Sequence, residues 1–188
     1  YHLEITWQGS IYEADATTNL EKVVIDSIAY TQAFNDVYGE HEGVITYFKD
    51  PVGPGNYFRF QEYRQVDSSL AHASIKLSLQ NDCILGDTIF ILELGRSVYN
   101  DENNDGNQIK IVVEPAYTHR EGIESVIKIQ SIDANIYKFY DQLDQQKLAQ
   151  FNPFVEPVFL RDGQFGDRAF GFFGALTRSE GVSFTYPE

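Results

Sequence analysis

Long apolar runs are missing from this chain. Nowhere in its 188 residues do the roughly 18 consecutive apolar side chains of a membrane-spanning helix occur. No signal peptide opens it, and it begins at Tyr1 rather than Met, as a processed or truncated product does. Cysteine is nearly absent. Cys83 stands alone, which excludes an intramolecular disulfide framework and a thiolate metal cage. Its neighbour Asp82 is the wrong charge to activate a thiolate, so a small buried hydrophobe is expected. Basic side chains are scarce: 14 Lys and Arg against 28 Asp and Glu, for a net charge of −14. Phosphates need a basic footprint, so nucleic acid is excluded as a partner. Direct adhesion to anionic lipid heads is equally disfavoured. Solubility through surface charge accounts for the acidic excess, and a cation partner is the alternative.

Catalytic signatures are missing too. The four histidines, His2, His41, His72 and His119, are scattered, and no pair has the helical spacing of a zinc site. No Gly-x-Ser-x-Gly elbow occurs, Cys83 lacks a His/Asn context, and no Gly-rich phosphate loop precedes a helix. A glycosidase pair cannot be excluded by counting acids; the density of carboxylates on loops is better explained by solvation. The chain is therefore expected not to be an enzyme. It has no internal repeat and no low-complexity tract.

What is present is β-forming. Hydrophobic residues make up 43%, with 14 Phe and 12 Tyr, so the chain is globular and leans toward strands. Tyr1, Leu3, Ile5 and Trp7 alternate with polar residues; a turn at Gln8-Gly9-Ser10 returns the chain through residues 11–14 as a hairpin. The apolar pattern lapses over 15–24, a seam between two units. Alternation then marks strands over 23–30, 44–48, 56–66, 75–79, 109–113 and 126–129. The run 89–94 reads as a strand covered on both faces. In the long strand, Phe58 and Phe60 share one face; Tyr57, Arg59, Gln61 and Tyr63 share the other. Asp50-Pro51-Val52-Gly53-Pro54-Gly55 permits no ladder and reads as a surface loop.

One helix is predicted, over about 134–149. Asp133 can cap its first turn, and Ile136, Phe139, Tyr140, Leu143 and Leu148 form a packing stripe. Asn152-Pro153 ends it. A final strand pair is expected over 170–176 and 182–186, with Gly171 and Gly174 marking close backbone approach or a bulge. The fold class is mainly β: an antiparallel sandwich or partly closed barrel, the helix plugging one end or face.

One local pattern suggests a metal. Asp101, Asn103, Asp105 and Asn107 alternate, with Gly106 at the sixth position, as in the first half of a calcium loop. The second half fails, because Val112 stands where a bidentate Glu is needed and Glu114 comes two residues later. A solvated hairpin turn accounts for the same residues, and added calcium is expected to change thermal stability little. An aromatic face that includes Tyr57, Tyr63, Tyr117 and Phe151 suits stacking on sugar rings or peptide; edge-of-core aromatics explain it as well.

The order of motifs resembles a known family. Tyr1-His2-Leu3-Glu4-Ile5, Ile25-Asp26-Ser27-Ile28, Phe48-Lys49-Asp50-Pro51 with Asn56-Tyr57-Phe58-Arg59-Phe60, Asp101-Glu102 with Asp105-Gly106, residues 132–140, Asn152-Pro153-Phe154 and Gly174-Ala175-Leu176 follow one another. So arranged, they resemble the Bacteroidota outer-membrane lipoproteins catalogued as domain of unknown function four-two-four-nine. The resemblance implies that residues 1–22 are the last strands of an N-terminal β-sandwich unit and 23–188 a β-rich second domain. It implies that the acidic turn is a structural feature, and that a lipid anchor sits on an upstream Cys missing from this chain. It also implies a peripheral, surface-exposed protein of the outer membrane, accessory to a TonB-dependent importer or related complex. A stand-alone glycan- or peptide-binding or adhesive protein is the alternative. A hydrolase would need a concave pocket with two close acids of shifted pKa.

Overall fold

The structure, a computed structural model, describes residues 1–17, 21–36, 39–66, 69–73, 75–79, 84–85, 88–90, 97–102, 104–115, 124–151, 154, 156–159, 163–166 and 169–187. Cys83, Asn103, Tyr117, His119, residues 91–94 and Asn152-Pro153 lie outside the described residues, as do the side chains of His41, His72, Tyr63, Leu148 and Phe151.

The expected hairpin forms from β1 (His2–Trp7) and β2 (Ser10–Asp15). Ile5 faces Tyr12 and Trp7 faces Ser10. Gln8 at φ 47° and Gly9 at φ 79° supply the two left-handed residues of a tight two-residue turn. Among the described residues the hairpin pairs with no other strand.

The other strands are β3 (Ile25–Asp36), β4 (Gly39–Lys49), β5 (Tyr57–Val66), β6 (Ser69–Ala73), β7 (Ile75–Leu79), β8 (Ile84–Leu85), β9 (Thr88–Phe90), β10 (Val98–Asn100), β11 (Gln108–Pro115) and β12 (Glu124–Ile132). Helix α1 (Ala134–Phe151) follows, then β13 (Leu176–Arg178) and β14 (Val182–Thr185). One six-stranded sheet runs β7-β11-β4-β3-β9-β8. The other runs β10-β5-β12-β13, with β14 also on β12 and β6 on β5. Among the described residues pairing is antiparallel except between β3 and β9, which meet in parallel at Phe34 and Ile89. Among the described residues neither sheet closes on itself, so of the two expected forms the fold is the sandwich.

Alternation on β5 decides how the layers stack. Phe58 and Phe60 turn inward and meet Phe48 of β4, with ring centroids 5.1 and 5.7 Å apart. Val44 and Ile111 from one sheet and Ile127 and Ile129 from the other complete this core, which Val23 and Ile25 already join. The alternate residues of β5 face the helix. Tyr57 packs on Tyr137 at 4.8 Å, and the Arg59 guanidinium lies 3.8 Å from the Tyr140 ring centre. Helix α1 thus covers the outer face of the second sheet, burying Ile136 against Val98 and Ile132.

The helix begins as its sequence requires. Asp133 Oδ1 accepts from the N–H groups of Asn135 (3.0 Å) and Ile136 (2.9 Å), two donors that no helical carbonyl can reach. Within the expected stripe, Ile136 and Tyr140 pack toward the sheet, while Phe139 stacks on Phe172 at 4.1 Å. One expected strand fails: residues 170–175 run irregularly, and pairing with β12 starts only at Leu176. The backbone of Ala175 is engaged by the helix cap instead. Its N–H donates to Asp133 Oδ2 (2.8 Å), and its carbonyl accepts from Asp133 N (3.1 Å). Gly174 lies directly under the first helical turn, where an added Cβ would stand 2.2 Å from Ile136 Cγ1. The close approach read from the glycines is real there, but it serves the helix rather than a strand.

Candidate functional site

Among the described residues, two clusters of polar side chains bear on function. The first is the acidic turn between β10 and β11. Asn104 N donates to Asp101 O (2.7 Å) and Asn107 N to Asn104 O (2.9 Å), making two successive tight turns. Gly106 takes φ 71°, the sharp bend that its place in a calcium loop demands.

The loop 50–55, read from sequence as a surface loop, folds against this turn together with Asn56, which the sequence placed in the next strand. The β4–β11 ladder ends with Lys49 opposite Gln108, which sets Asp50 beside the turn. Asp50 N donates to Asn107 O (3.0 Å), and Gly106 N donates to Asp50 Oδ2 (2.9 Å). The exchange is reciprocal. Gly53 N donates to Asp105 Oδ1 (2.7 Å) and Gly55 N to Asp101 Oδ1 (3.1 Å). The result is three carboxylates, Asp50, Asp101 and Asp105, each offering an oxygen within 4.8 Å of the others. Asp50 is 1% exposed and Asp101 3% exposed, while Asp105 opens to solvent.

Of the residues singled out in sequence, Asp101 and Asp105 meet. Asn103 lies outside the described residues. Asn107 contributes its carbonyl to Asp50 N and turns its amide to the Asp105 carbonyl. Asp50 was missed because the periodicity of a loop carries no information about what the loop touches. The available signal was its place at the end of a strand, before Pro51 and near two glycines.

Like charges this close are costly. Two carboxylates about 5 Å apart repel by about 3 kcal/mol at an effective dielectric of about 20. Burial pushes the Asp50 carboxyl up from 3.8 to about 6; the Gly106 N–H opposes this, and the charges of Asp101 and Asp105 add to it. The Asn56 amide also favours the charged form. Its Nδ2 donates to the Pro51 and Gly53 carbonyls and to Asp101 Oδ2, however, and Asp50 Oδ1 stays buried with no hydrogen-bond partner. Burial, then the nearby Asp50 and Asp101 charges, raise the Tyr99 hydroxyl, against a hydrogen bond from Asn104.

A pH dependence follows for the protein in chelator. An acid whose pKa is raised by folding stabilises the fold below its unfolded pKa of about 4, and that contribution is lost as pH rises through about 6. The melting temperature of the wild type minus that of Asp50→Asn should therefore fall by a few degrees between about pH 4 and pH 7. A flat difference across that range would contradict the assignment.

The second place is a recess of about 360 Å³ between α1 and the outer face of the second sheet. Arg59, Gln61, Gln130, Tyr140, Phe172 and Arg178 line it. Arg59 Nη1 donates to Gln130 Oε1 (3.3 Å) and its guanidinium stacks on Tyr140, while its Nε is buried without a hydrogen-bond partner. Two arginines here make a cationic spot on a protein of net charge −14.

The family model for DUF4249, a domain of unknown function, matches residues 1–181. The chain belongs to the DUF4249 family. No curated protein and no solved structure matches this DUF4249 chain. The DUF4249 match spans the hairpin, both polar sites and the helix.

Proposed function

We propose that this DUF4249 chain is a non-enzymatic, surface-exposed lipoprotein of the outer membrane, an accessory subunit of a TonB-dependent importer or related complex. The observation that supports it most is the apolar face of the β1–β2 hairpin. Leu3, Ile5 and Trp7 share that face with Tyr12 across the ladder, and Ile5 and Trp7 are 44% and 64% exposed. A two-stranded ribbon is marginal by itself in water, and its greasy side gains from a further surface, whether the remaining strands of the sandwich unit that the resemblance implies or another protein. No helix among the described residues is long and apolar enough to cross a membrane. The resemblance implies attachment by a lipid on an upstream Cys, with a protein partner to hold it firmly.

The acids do not favour catalysis. Asp50 and Asp101 are buried, and their oxygens accept from the N–H groups of Gly106 and Gly55. At 1% and 3% exposure they offer little of either carboxyl to a substrate, and a general acid must come within hydrogen-bond reach of the proton it transfers. The test is affinity capture from native outer membranes with wild type and Trp7→Glu. Wild type should recover an importer barrel, and Trp7→Glu should recover several-fold less. Equal recovery by both, or none, would remove the support.

The recess favours the second reading, a glycan- or peptide-binding protein. Arg59 and Arg178 suit a carboxylate, and the rings of Tyr140 and Phe172 suit a sugar face. A monomer that leaves the membrane carrying a glycan would favour this reading over the first.

A further inference from the structure

We propose that Asp50, Asp101 and Asp105 form a calcium site that pins the 50–56 loop to the 101–107 turn. The geometry fits. Two oxygens bound to one calcium at about 2.4 Å can be at most about 4.8 Å apart, and the three carboxylates meet that limit. The second observation is independent of the clustering. Asp50 is 1% exposed, and its Oδ1 has no hydrogen-bond donor. A buried carboxylate oxygen left bare is costly, and a cation is the partner that offsets both its desolvation and the repulsion from two neighbouring acids.

The chemistry selects the ion. These donors are hard oxygens, without thiolate or imidazole, which favours calcium or magnesium over zinc. The ligands come from two irregular loops rather than a rigid octahedral frame, which favours calcium's looser coordination. Asp105 opens to solvent, leaving room for waters to complete six to eight ligands. The N–H groups of Gly53, Gly55 and Gly106 and the Asn56 amide bond to the carboxylates and orient them, as outer partners of metal ligands do. The sequence argued against calcium because the twelfth position of the loop holds Val112. In three dimensions the missing acid arrives from the other loop, as Asp50.

The experiment titrates calcium chloride into metal-stripped protein, followed by calorimetry and thermal unfolding. Saturable heat is expected, with a rise of about 5–10 °C in Tm at calcium about a hundredfold above Kd. Asp50→Asn should abolish the rise while its circular dichroism shows a folded protein. Asp105→Asn, at the exposed ligand, should weaken binding at least tenfold and serves as the second variant if Asp50→Asn does not fold. Glu102→Gln, an exposed acid of the same turn outside the cluster, should keep the wild-type rise. No heat and no shift in the wild type would overturn the site. So would a folded Asp50→Asn or Asp105→Asn that responds to calcium as the wild type does.

Discussion

Phe48→Ala should lower the unfolding free energy by about 3–5 kcal/mol, the usual cost of emptying a large aromatic site in a packed core. Phe48 is fully buried. It is the ring from the first sheet that touches both Phe58 and Phe60 of the second, so its loss opens a cavity between the layers that neither sheet can close without shifting the other. For a chain of this size the drop in Tm should be about 10 °C. Urea unfolding should show a lower midpoint at nearly unchanged slope, since the surface exposed on unfolding hardly changes. Val24→Ala, at a residue 69% exposed one position from the buried Val23, should stay within about 0.5 kcal/mol. Similar losses at positions 48 and 24 would mean that the two sheets do not share the core described.

Asp133→Ala should cost about 2–4 kcal/mol. The cap itself contributes about 1 kcal/mol, and the half-buried N–H of Ala175 would lose its acceptor, for about 1–3 kcal/mol more. One side chain serves both purposes: Oδ1 holds the N–H groups of Asn135 and Ile136, and Oδ2 holds that of Ala175. Asp133→Asn separates the two. Its amide oxygen can still cap the helix, but its NH2 cannot accept from Ala175, so Asn should recover only part of the loss. Full recovery by Asn would show that the bond to Ala175 contributes nothing. Thermal unfolding of the three proteins decides between these outcomes.

The same two regions show what could be read in the chain. Phe58 and Phe60 alternate with Tyr57 and Arg59, and that pattern places two sets of side chains on opposite faces before any partner is known. Asp133 followed by a helical stripe gives the helix and its first turn for the same local reason. The failed strand over 170–175 shows the limit. Its aromatic and glycine content is strand-like, yet the helix cap takes the backbone groups of Ala175 and leaves no room above Gly174. Local preference yielded to a tertiary contact, as strand propensity often does.

The acidic site divides in the same way. Asp101, Asp105 and the bend at Gly106 were visible, since spacing within one turn is a local property. Asp50 was not, because it stands 56 residues from the Gly106 N–H that it accepts, and no periodicity spans that distance. By itself, then, the amino-acid order set most of the long strands, the capped helix, the hairpin turn and the acidic character of the surface, all of which depend on neighbours a few positions apart. Folding decided which sheet faces which, that a helix shields the outer side of one, and that two distant loops bring three carboxylates together. Those outcomes depend on how whole layers fill space, and residues far apart in the chain meet only once the layers have packed.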